Sequence, residues 1–406
     1  MDVDIAIVGG GPAGVATALF FAAAAPRLLD RLVILEKARY PREKICAGAV
    51  GGRADRALDR IGVRVEVPSA HVRGLSVATA HGARATRLAS PIGRVVRRAE
   101  FDHALAEAAR ARGVRIVEGA RVTAIELDAR AARLTTDLGE VRARAVVGAD
   151  GVGSFVRRAL GAPRGRWYAQ VVEVDTEAAR GDPGRELLHF DIGDASLCGY
   201  GWDFPTIVDG RPLVCRGFYE LRPEDGALGA RGAGADVGAR LIERLRHLGL
   251  DERLRVKRFA ERGLSLHEPL SRPRALLVGE AAGIDPVLGE GIAQAILYGA
   301  AAGPYLARCV DRSDFEFADW RRELMRSRVG RDLRIRARMT PFIYGRTRSL
   351  AERWVVRSHD LSLAGLHYFA GAHVPRARLA AAALALGREA AGDLLEATSR
   401  RWGPWW

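Results

Sequence analysis

The chain has 406 residues, a formal net charge of +14 and 48% hydrophobic residues. This length allows two or three domains, or one elaborated α/β domain, with a sizeable core. The hydrophobic content is ordinary for a soluble protein. The positive charge does not predict nucleic-acid binding, because lysine occurs only at Lys37, Lys44 and Lys257 and the other basic residues are arginines spread along an Ala-, Gly- and Arg-rich chain, as expected of a GC-rich genome. A weak attraction to anionic substrates or membrane surfaces stays open.

The cysteine pattern predicts neither a metal site nor a redox pair. No C-x-x-C pair is present, and no Cys/His cluster has the spacing of a zinc site. A reduced, cytoplasmic setting is therefore the expected one, with membrane association as an open alternative. The four cysteines are Cys46, Cys198, Cys215 and Cys309.

The hydropathy pattern predicts a protein without a targeting or spanning segment. The first strand is predicted to begin by residue 4, which leaves no room for a signal peptide. No stretch approaches the roughly 20 apolar residues that a spanning helix needs. The longest apolar runs, residues 13–25 and 379–386, are predicted to be buried helices.

The N-terminal residues carry the most informative pattern of the chain. An apolar strand runs into a G-x-G-x-x-G whose glycines are Gly9, Gly11 and Gly14, a helix-forming run follows, and a second apolar strand ends at Glu36. Gly9 permits a tight turn, Gly11 lets a pyrophosphate approach the backbone, and Gly14 allows close packing of helix on strand. The helix N-terminus then faces the phosphates, and Glu36 is placed to bond a ribose hydroxyl. This βαβ unit predicts dinucleotide binding.

Two further motifs follow predicted strands. Asp150, within Gly148–Gly151, is placed to accept hydrogen bonds near a cofactor. Glu280 follows the strand 275–278 and precedes a glycine-rich turn and a long apolar helix. A carboxylate at this strand end can bond a ribityl or ribose hydroxyl, and the helix N-terminus can stabilise negative charge on a flavin.

The chain is expected to divide into interleaved segments. Nucleotide-binding blocks alternate with strand-rich segments broken by Gly, Pro and Asp, which predict an inserted sheet domain, and residues 225–238 are predicted to form a loop. The helical region predicted at the end of the chain, residues 309–406, is rich in arginine. We expect its arginines to form solvated helix faces, with a face for a membrane or an anionic partner as the alternative. The predicted nucleotide-binding blocks are 1–70, 95–160 and 274–308, the sheet domain is 71–94 and 161–273, and the helical region is 309–406.

Taken in order and at these distances, the three motifs resemble the FAD-dependent oxidoreductases of the para-hydroxybenzoate hydroxylase fold, over about residues 1–305. The resemblance implies an α/β fold with a discontinuous Rossmann-type FAD-binding domain of the glutathione-reductase type, an inserted antiparallel β-sheet substrate domain and a helical C-terminal region. It departs from the family at Glu280, where aspartate is usual. The residues that it implies for FAD binding are Gly9, Gly11, Pro12, Ala13, Gly14, Glu36, Lys37, Lys44, Ala47, Arg98, Val122, Asp150, Gly279, Glu280, Pro286, Gly289, Gly291 and Ile292.

Two more signatures are similar to those of the geranylgeranyl reductases. Residues 41–48, which include Cys46, resemble their cysteine loop, and residues 199–205 resemble their Y-x-W-x-F-P motif. The resemblance implies that these segments face each other across the flavin, which makes Cys46, Tyr200 and Trp202 the candidate catalytic residues. By alternation, Tyr200 and Trp202 share one face of a strand, which also fits an ordinary core strand. Cys46 could pack against substrate, act as a weak acid or be an inert buried thiol.

Several functions fit this pattern, and reduction of a C=C bond in an isoprenoid or similar apolar substrate by hydride transfer from reduced FAD is the one that we expect. Alternatives are an FAD-dependent monooxygenase acting on an aromatic or natural-product substrate, a halogenase, and a non-catalytic flavoprotein. Halogenation is disfavoured because halogenases generally need an active-site lysine, whereas Lys37 and Lys44 belong to the cofactor and cysteine loops and Lys257 is distant in sequence. The sequence shows no second Rossmann unit for a nicotinamide, so NAD(P)H or a ferredoxin is expected as a transient electron donor. The oligomeric state does not follow from the sequence.

Overall fold

The computed structural model describes residues 1–163, 165–223 and 236–401 of the chain. Most of the loop predicted at residues 225–238 lies outside these ranges. Within them, none of the helices has the length and apolar character needed to cross a bilayer.

The described residues form eighteen strands, twelve α-helices and a short 3-10 helix (Pro26–Arg31). The strands are β1 (Asp2–Val8), β2 (Leu32–Glu36), β3 (Ala49–Gly51), β4 (Ser69–Val72), β5 (Gly74–Thr79), β6 (Gly82–Arg87), β7 (Gly93–Val96), β8 (Arg115–Glu118), β9 (Val122–Leu127), β10 (Ala132–Thr136), β11 (Gly139–Gly148), β12 (Trp167–Thr176), β13 (Leu187–Asp191), β14 (Gly199–Val208), β15 (Arg211–Pro223), β16 (Lys257–Gly263), β17 (Ser271–Arg272) and β18 (Ala275–Leu277). The helices are α1 (Pro12–Ala24), α2 (Gly52–Asp59), α3 (Arg98–Arg110), α4 (Phe155–Ala159), α5 (Val237–His247), α6 (Gly279–Ala282), α7 (Ile292–Arg312), α8 (Trp320–Arg326), α9 (Arg328–Tyr344), α10 (Arg348–Arg357), α11 (His359–Ala370) and α12 (Arg376–Arg401).

A sheet with five parallel strands in the order β18, β11, β1, β2 and β8 forms the first layer. The strands β1 and β2 are apolar and almost fully buried, as parallel strands covered on both faces require. Helices α1 and α7 pack closely, because a Cβ on Gly299 of α7 would lie only 2.6 Å from Ala16 of α1. Because β1, β2 and β11 run parallel, their carboxyl ends meet at one edge of the sheet, where open α/β sheets bind their ligands.

A second sheet of seven strands has the order β16, β12, β15, β14, β13, β5 and β6. Its pairs are antiparallel except for β13 and β5, which run parallel. The parallel pair arises because the β5–β6 hairpin comes from an earlier part of the chain and joins the sheet beyond β13. The predicted fold class, a Rossmann-type domain with an inserted sheet and a helical C-terminal region, is confirmed, with this one pair departing from a purely antiparallel sheet. A small third sheet, β3-β7-β4, has no counterpart in the sequence prediction.

The C-terminal helices differ from the prediction in two respects. Residues 379–386 are helical but not buried, since Leu379 and Leu384 are 52% and 65% exposed. One face of α12 packs on α10 and α11, as the buried Ala382 shows, and leaves the opposite face open. The arginine-rich segment is only partly solvated, because Arg348 is buried and donates to Glu352 (2.6 Å) and to backbone carbonyls.

Candidate active site

Three glycines shape the turn after β1, each in a different way. Gly9 has φ +106°, a conformation that favours glycine. A Cβ at Gly14 would overlap the carbonyl oxygen of Gly9, so Gly14 allows α1 to begin directly against the turn. Gly11 is different: its φ is −76°, and a Cβ there would have only an Arg42 nitrogen within 4 Å, at 3.7 Å. Gly11 thus faces open space, and the uncapped N–H groups of α1 lie beside it.

The carboxylate of Glu36 fastens this turn to the end of β2. One oxygen accepts a hydrogen bond from the Gly10 amide at 2.7 Å, and the other accepts from the Ala38 amide at 2.9 Å. Arg42 lies 3.6 Å from the same carboxylate. Each oxygen retains acceptor capacity, so Glu36 can hold the turn and still accept a ribose hydroxyl.

A large cavity of about 640 Å³ opens at the carboxyl ends of β1, β2 and β11. Charged groups lie along its length, while the wall around α7 is apolar. A long ligand with a diphosphate and hydroxyl groups fits this distribution, because the open approach to Gly11 and the α1 N-terminus suit a diphosphate. The residues predicted to bind the cofactor that line this cavity are Gly9, Gly11, Pro12, Ala13, Glu36, Lys37, Lys44, Arg98, Val122, Asp150, Glu280, Gly291 and Ile292.

The structure places five other predicted cofactor residues away from this cavity. Gly14 and Gly279 serve close packing, since a Cβ at Gly279 would lie 2.5 Å from Ala13. Pro286 packs on Gly263, where a Cβ would lie 2.6 Å away. Ala47 and Gly289 line a second cavity instead. These positions make a supporting role the simplest one for Gly14, Gly279 and Pro286.

Asp150 has hydrogen-bond partners that the sequence did not predict. Its carboxylate accepts hydrogen bonds from the Ser154 hydroxyl and the Phe155 amide, both at 2.5 Å, and from the Val156 amide at 3.2 Å. Ser154 in turn caps α4 by accepting from the Arg157 amide at 2.9 Å. Asp150 therefore organises the N-terminus of α4 at the wall of the cavity.

Cys46 lies at the boundary between the two cavities. It is not among the described residues that line either of them. Its neighbours divide between them: Lys44 lines the large cavity and Ala47 the second one. The Cys46 sulfur accepts a weak hydrogen bond from the Gly48 amide at 3.5 Å. Burial raises the pKa of the Cys46 thiol, and the nearby Arg98 only partly opposes this. Cys46 is therefore a neutral thiol, and its catalytic role stays a prediction.

The second cavity, about 180 Å³, is walled by aromatic side chains of β14 and its neighbours. Tyr200, Trp202 and Phe204 share one face of β14, as the alternation predicts, and are buried. Tyr219 stacks on Tyr200 with ring centroids 5.2 Å apart. Phe190 of β13 meets Tyr200 edge-on at 5.4 Å. This wall is at once core packing and the lining of a cavity suited to an apolar ligand.

Three tyrosines hold the loop that joins α6 to α7. Tyr219 donates to the carbonyl of Pro286 at 3.1 Å, Tyr344 donates to that of Val287 at 2.6 Å, and Tyr200 donates to that of Leu288. Hydrogen bonds to three consecutive carbonyl groups thus hold the loop between the cavities in place.

A buried network of charges supports the same loop from the other side. Arg336 of α9 pairs with Asp285 and lies 2.9 Å from Asp332 and 3.5 Å from Glu290. Arg53 of α2 also pairs with Glu290. Burial raises the pKa of Asp285 and of Glu290; Arg336 opposes the rise at Asp285, and Arg53 and Arg336 oppose it at Glu290. No sequence motif predicted this network, because its members come from three segments that are distant in sequence.

The two cavities meet at Phe259, Glu261 and Gly291, which line both. Phe259 and Glu261 lie two residues apart on β16 and so share one face. Sequence reasoning missed both, since β16 carries no motif. The sequence offered little signal here, since Glu261 lies between Ala260 and Arg262 in a strand rich in charged residues.

Comparison with known proteins agrees with this geometry. An FAD binding domain family matches residues 2–188. The chain is 29% identical over 364 residues to a menaquinone reductase of Mycobacterium tuberculosis, covering 83% of each chain. It is 29% identical over 343 residues to digeranylgeranylglycerophospholipid reductase 1 of Methanopyrus kandleri, covering 77% of this chain and 83% of the relative.

Two solved structures show the same fold. A geranylgeranyl bacteriochlorophyll reductase-like protein from Thermoplasma acidophilum matches with a TM-score of 0.64 at 19% identity over 96% of each chain. The flavin-dependent brominase Bmp2 matches with a TM-score of 0.68 at 16% identity, over 99% of this chain and 100% of that one. With the phosphate loop, the large cavity and the matched FAD-binding domain together, this chain is an FAD-dependent oxidoreductase similar to the geranylgeranyl reductases.

Proposed function

We propose that this protein reduces C=C bonds of an isoprenoid or similar apolar substrate. The observation that carries the proposal is the junction of the two cavities: an aromatic-walled apolar cavity meets the cofactor cavity at Phe259, Glu261 and Gly291. An apolar chain in the first cavity would lie against a cofactor in the second. The similarity to reductases of isoprenoid lipids supports this assignment.

The residues of the chain supply binding, orientation and exclusion of water. FAD, when reduced, supplies the hydride. The α1 N-terminus and Gly11 would hold its diphosphate, and Glu36 and Glu280 would accept its hydroxyl groups. Tyr200 and Trp202 would orient an alkene beside the junction, which would replace a bimolecular encounter by a reaction between two positioned groups. The tyrosine-fastened loop keeps water out of that side.

Halogenation fits the site less well. Lys37 and Lys44 line the cofactor cavity, and Lys257 pairs with Asp175 at 2.9 Å. Among the described residues, no lysine lines the aromatic cavity. A monooxygenase uses the same fold and remains the competitor that experiment must separate, because both chemistries accept an apolar substrate next to the flavin. We further propose NAD(P)H or a ferredoxin as transient electron donor.

Dithionite-reduced enzyme should be reoxidised without oxygen by prenyl alkenes. The flavin absorbance reports this directly, and aromatic compounds tested under the same conditions should leave the flavin reduced. Trp202→Ala should slow the reoxidation by about 100-fold through loss of positioning, with FAD retention unchanged. Trp354→Ala is the matched control, since Trp354 is a half-buried tryptophan of α10 that lines neither cavity. Reoxidation that requires oxygen would contradict the proposal.

We also propose that α12 contacts membrane surfaces peripherally. Leu379 and Leu384 are exposed, and a shallow apolar groove that includes Ala380 and Ala383 lies beside them. An exposed apolar helix face on a chain of net charge +14 suits an anionic bilayer. Leu384→Asp should reduce co-sedimentation with anionic phospholipid vesicles several-fold. Leu138→Asp, at an exposed leucine far from α12 in sequence, should leave it unchanged. Equal sedimentation of both variants would refute the contact.

A further inference from the structure

Glu261 occupies the junction between the two cavities, and the backbone holds it there. It lies on β16 opposite Ala169 of β12. The end of β16 is joined to the loop after α6: the Ile284 amide donates to the Arg262 carbonyl at 2.9 Å, and the Leu264 amide donates to the Ile284 carbonyl at 2.7 Å. The position of the Glu261 carboxyl relative to that loop is thus fixed by main-chain hydrogen bonds.

The Glu261 carboxyl lies against the loop after α6, and one of its oxygen atoms has no hydrogen-bond partner among the described residues. A Cβ added at Gly289 would overlap the Glu261 Oε2 atom, so glycine at this position leaves room for the carboxyl where it lies. The same Oε2 atom is buried and has no hydrogen-bond partner among the described residues. A buried polar atom without a partner is costly and is retained where it has a use. The group that it faces is whatever occupies the junction.

The other acidic groups that line the aromatic cavity are less suited to donate a proton. The hydroxyls of Tyr200 and Tyr219 donate to loop carbonyls. Glu290 pairs with Arg53 and lies 3.5 Å from Arg336, and both guanidinium groups favour its charged form. The Tyr368 hydroxyl lies near Asp332 but has no hydrogen-bond partner among the described residues. Burial raises the pKa of all three tyrosines further above that of a carboxyl, which makes them poor acids.

The surroundings of Glu261 favour the protonated form of its carboxyl. Burial raises the pKa of the Glu261 carboxyl well above its usual range, and the charges of Glu280, Asp285 and Glu173 raise it further. Lys44 is the one facing cation among its main interactions, and it opposes the rise. A carboxylic acid that keeps its proton near neutral pH is suited to general acid catalysis.

We propose that Glu261 is the proton donor of the reduction. The inference rests on the proposed function. In this step the alkene π bond breaks, one carbon receives a hydride from reduced FAD, and the other forms a C–H bond with the proton of the Glu261 carboxyl. The O–H electron pair stays on the carboxylate, which regains a proton from water after product leaves. Reduced FAD, the reductant, is reoxidised once per alkene.

Glu261→Gln tests the step, because glutamine keeps the shape of the side chain but has no acidic proton. We expect full FAD retention and a fall in the rate of anaerobic alkene reduction of roughly 10²–10⁴-fold. In the wild type, the rate should fall as pH rises through the pKa of Glu261, because only the protonated form donates, and this limb should disappear in the variant. Glu220→Gln is the matched control, since Glu220 is a buried strand carboxyl with a pKa raised by burial that lines neither cavity.

Infrared difference spectra supply a readout independent of turnover. The spectrum of the FAD-loaded wild type minus that of the Glu261→Gln variant at pH 7 should show the C=O band of a protonated carboxyl. Absence of this band, or alkene reduction by the variant at the wild-type rate and with the wild-type pH profile, would overturn the proposal for Glu261 alone. Failure of the wild type to reduce any alkene would instead refute the proposed function, and the donor step with it.

Discussion

Replacing Gly11 by valine is expected to abolish retention of FAD while the protein stays folded. The backbone of Gly11, at φ −76°, accepts any residue, and its Cβ position has no atom closer than 3.7 Å. The valine side chain would therefore fill the space in which the diphosphate must lie. An affinity loss of at least about 100-fold, about 3 kcal/mol, is the expected size.

Absorbance and chromatography of the released cofactor measure this effect, and circular dichroism reports the fold. Gly387→Val is the matched control, because a Cβ at Gly387 of α12 also meets open space but lies far from the turn in sequence. Full FAD occupancy in the Gly11→Val variant would show that the phosphate loop is misassigned.

Arg336→Met is expected to destabilise the protein by about 3–5 kcal/mol, because it leaves buried carboxylates without their main counter-charge. Asp285 is fully buried and pairs with Arg336, and Asp332 and Glu290 lie close to the same guanidinium. Without Arg336, the folded-state pKa of Asp285 rises further above its unfolded value, so the loss of stability should grow as pH rises above about 4.

Urea unfolding at pH 5 and pH 8 measures that dependence, and the deficit of the variant should be larger at pH 8. Arg338→Met, two residues along α9 at an exposed arginine, is the matched control and should change stability little. A deficit in Arg336→Met that is equal to that of the control would mean that the buried network does not support the loop.

Local patterns explain what the sequence could predict. The β1-α1-β2 unit is contiguous, so its glycines and Glu36 could be placed from spacing alone. Alternation likewise placed Tyr200 and Trp202 on one face of β14. The features that could not be predicted depend on distant segments: the small β3-β7-β4 sheet joins three short strands, and the Arg336 network joins three parts of the chain.

Glu261 is the clearest example of a site residue that could not be predicted from the sequence. Its importance comes from meeting two cavities and a glycine loop at once, and none of these features is visible in the residues beside it in sequence. Asp150 shows the converse. The sequence pattern pointed to the cofactor, and the structure adds that the same carboxylate organises α4.

The most direct test of the central claim is the mass of the product formed in one anaerobic turnover. Reduced, FAD-loaded enzyme is mixed with a prenyl substrate in the absence of oxygen, and the product is analysed by mass spectrometry. A C=C reductase should give a product heavier than the substrate by two hydrogen atoms. A product that forms only with oxygen and gains one oxygen atom would contradict this expectation and establish the monooxygenase chemistry instead.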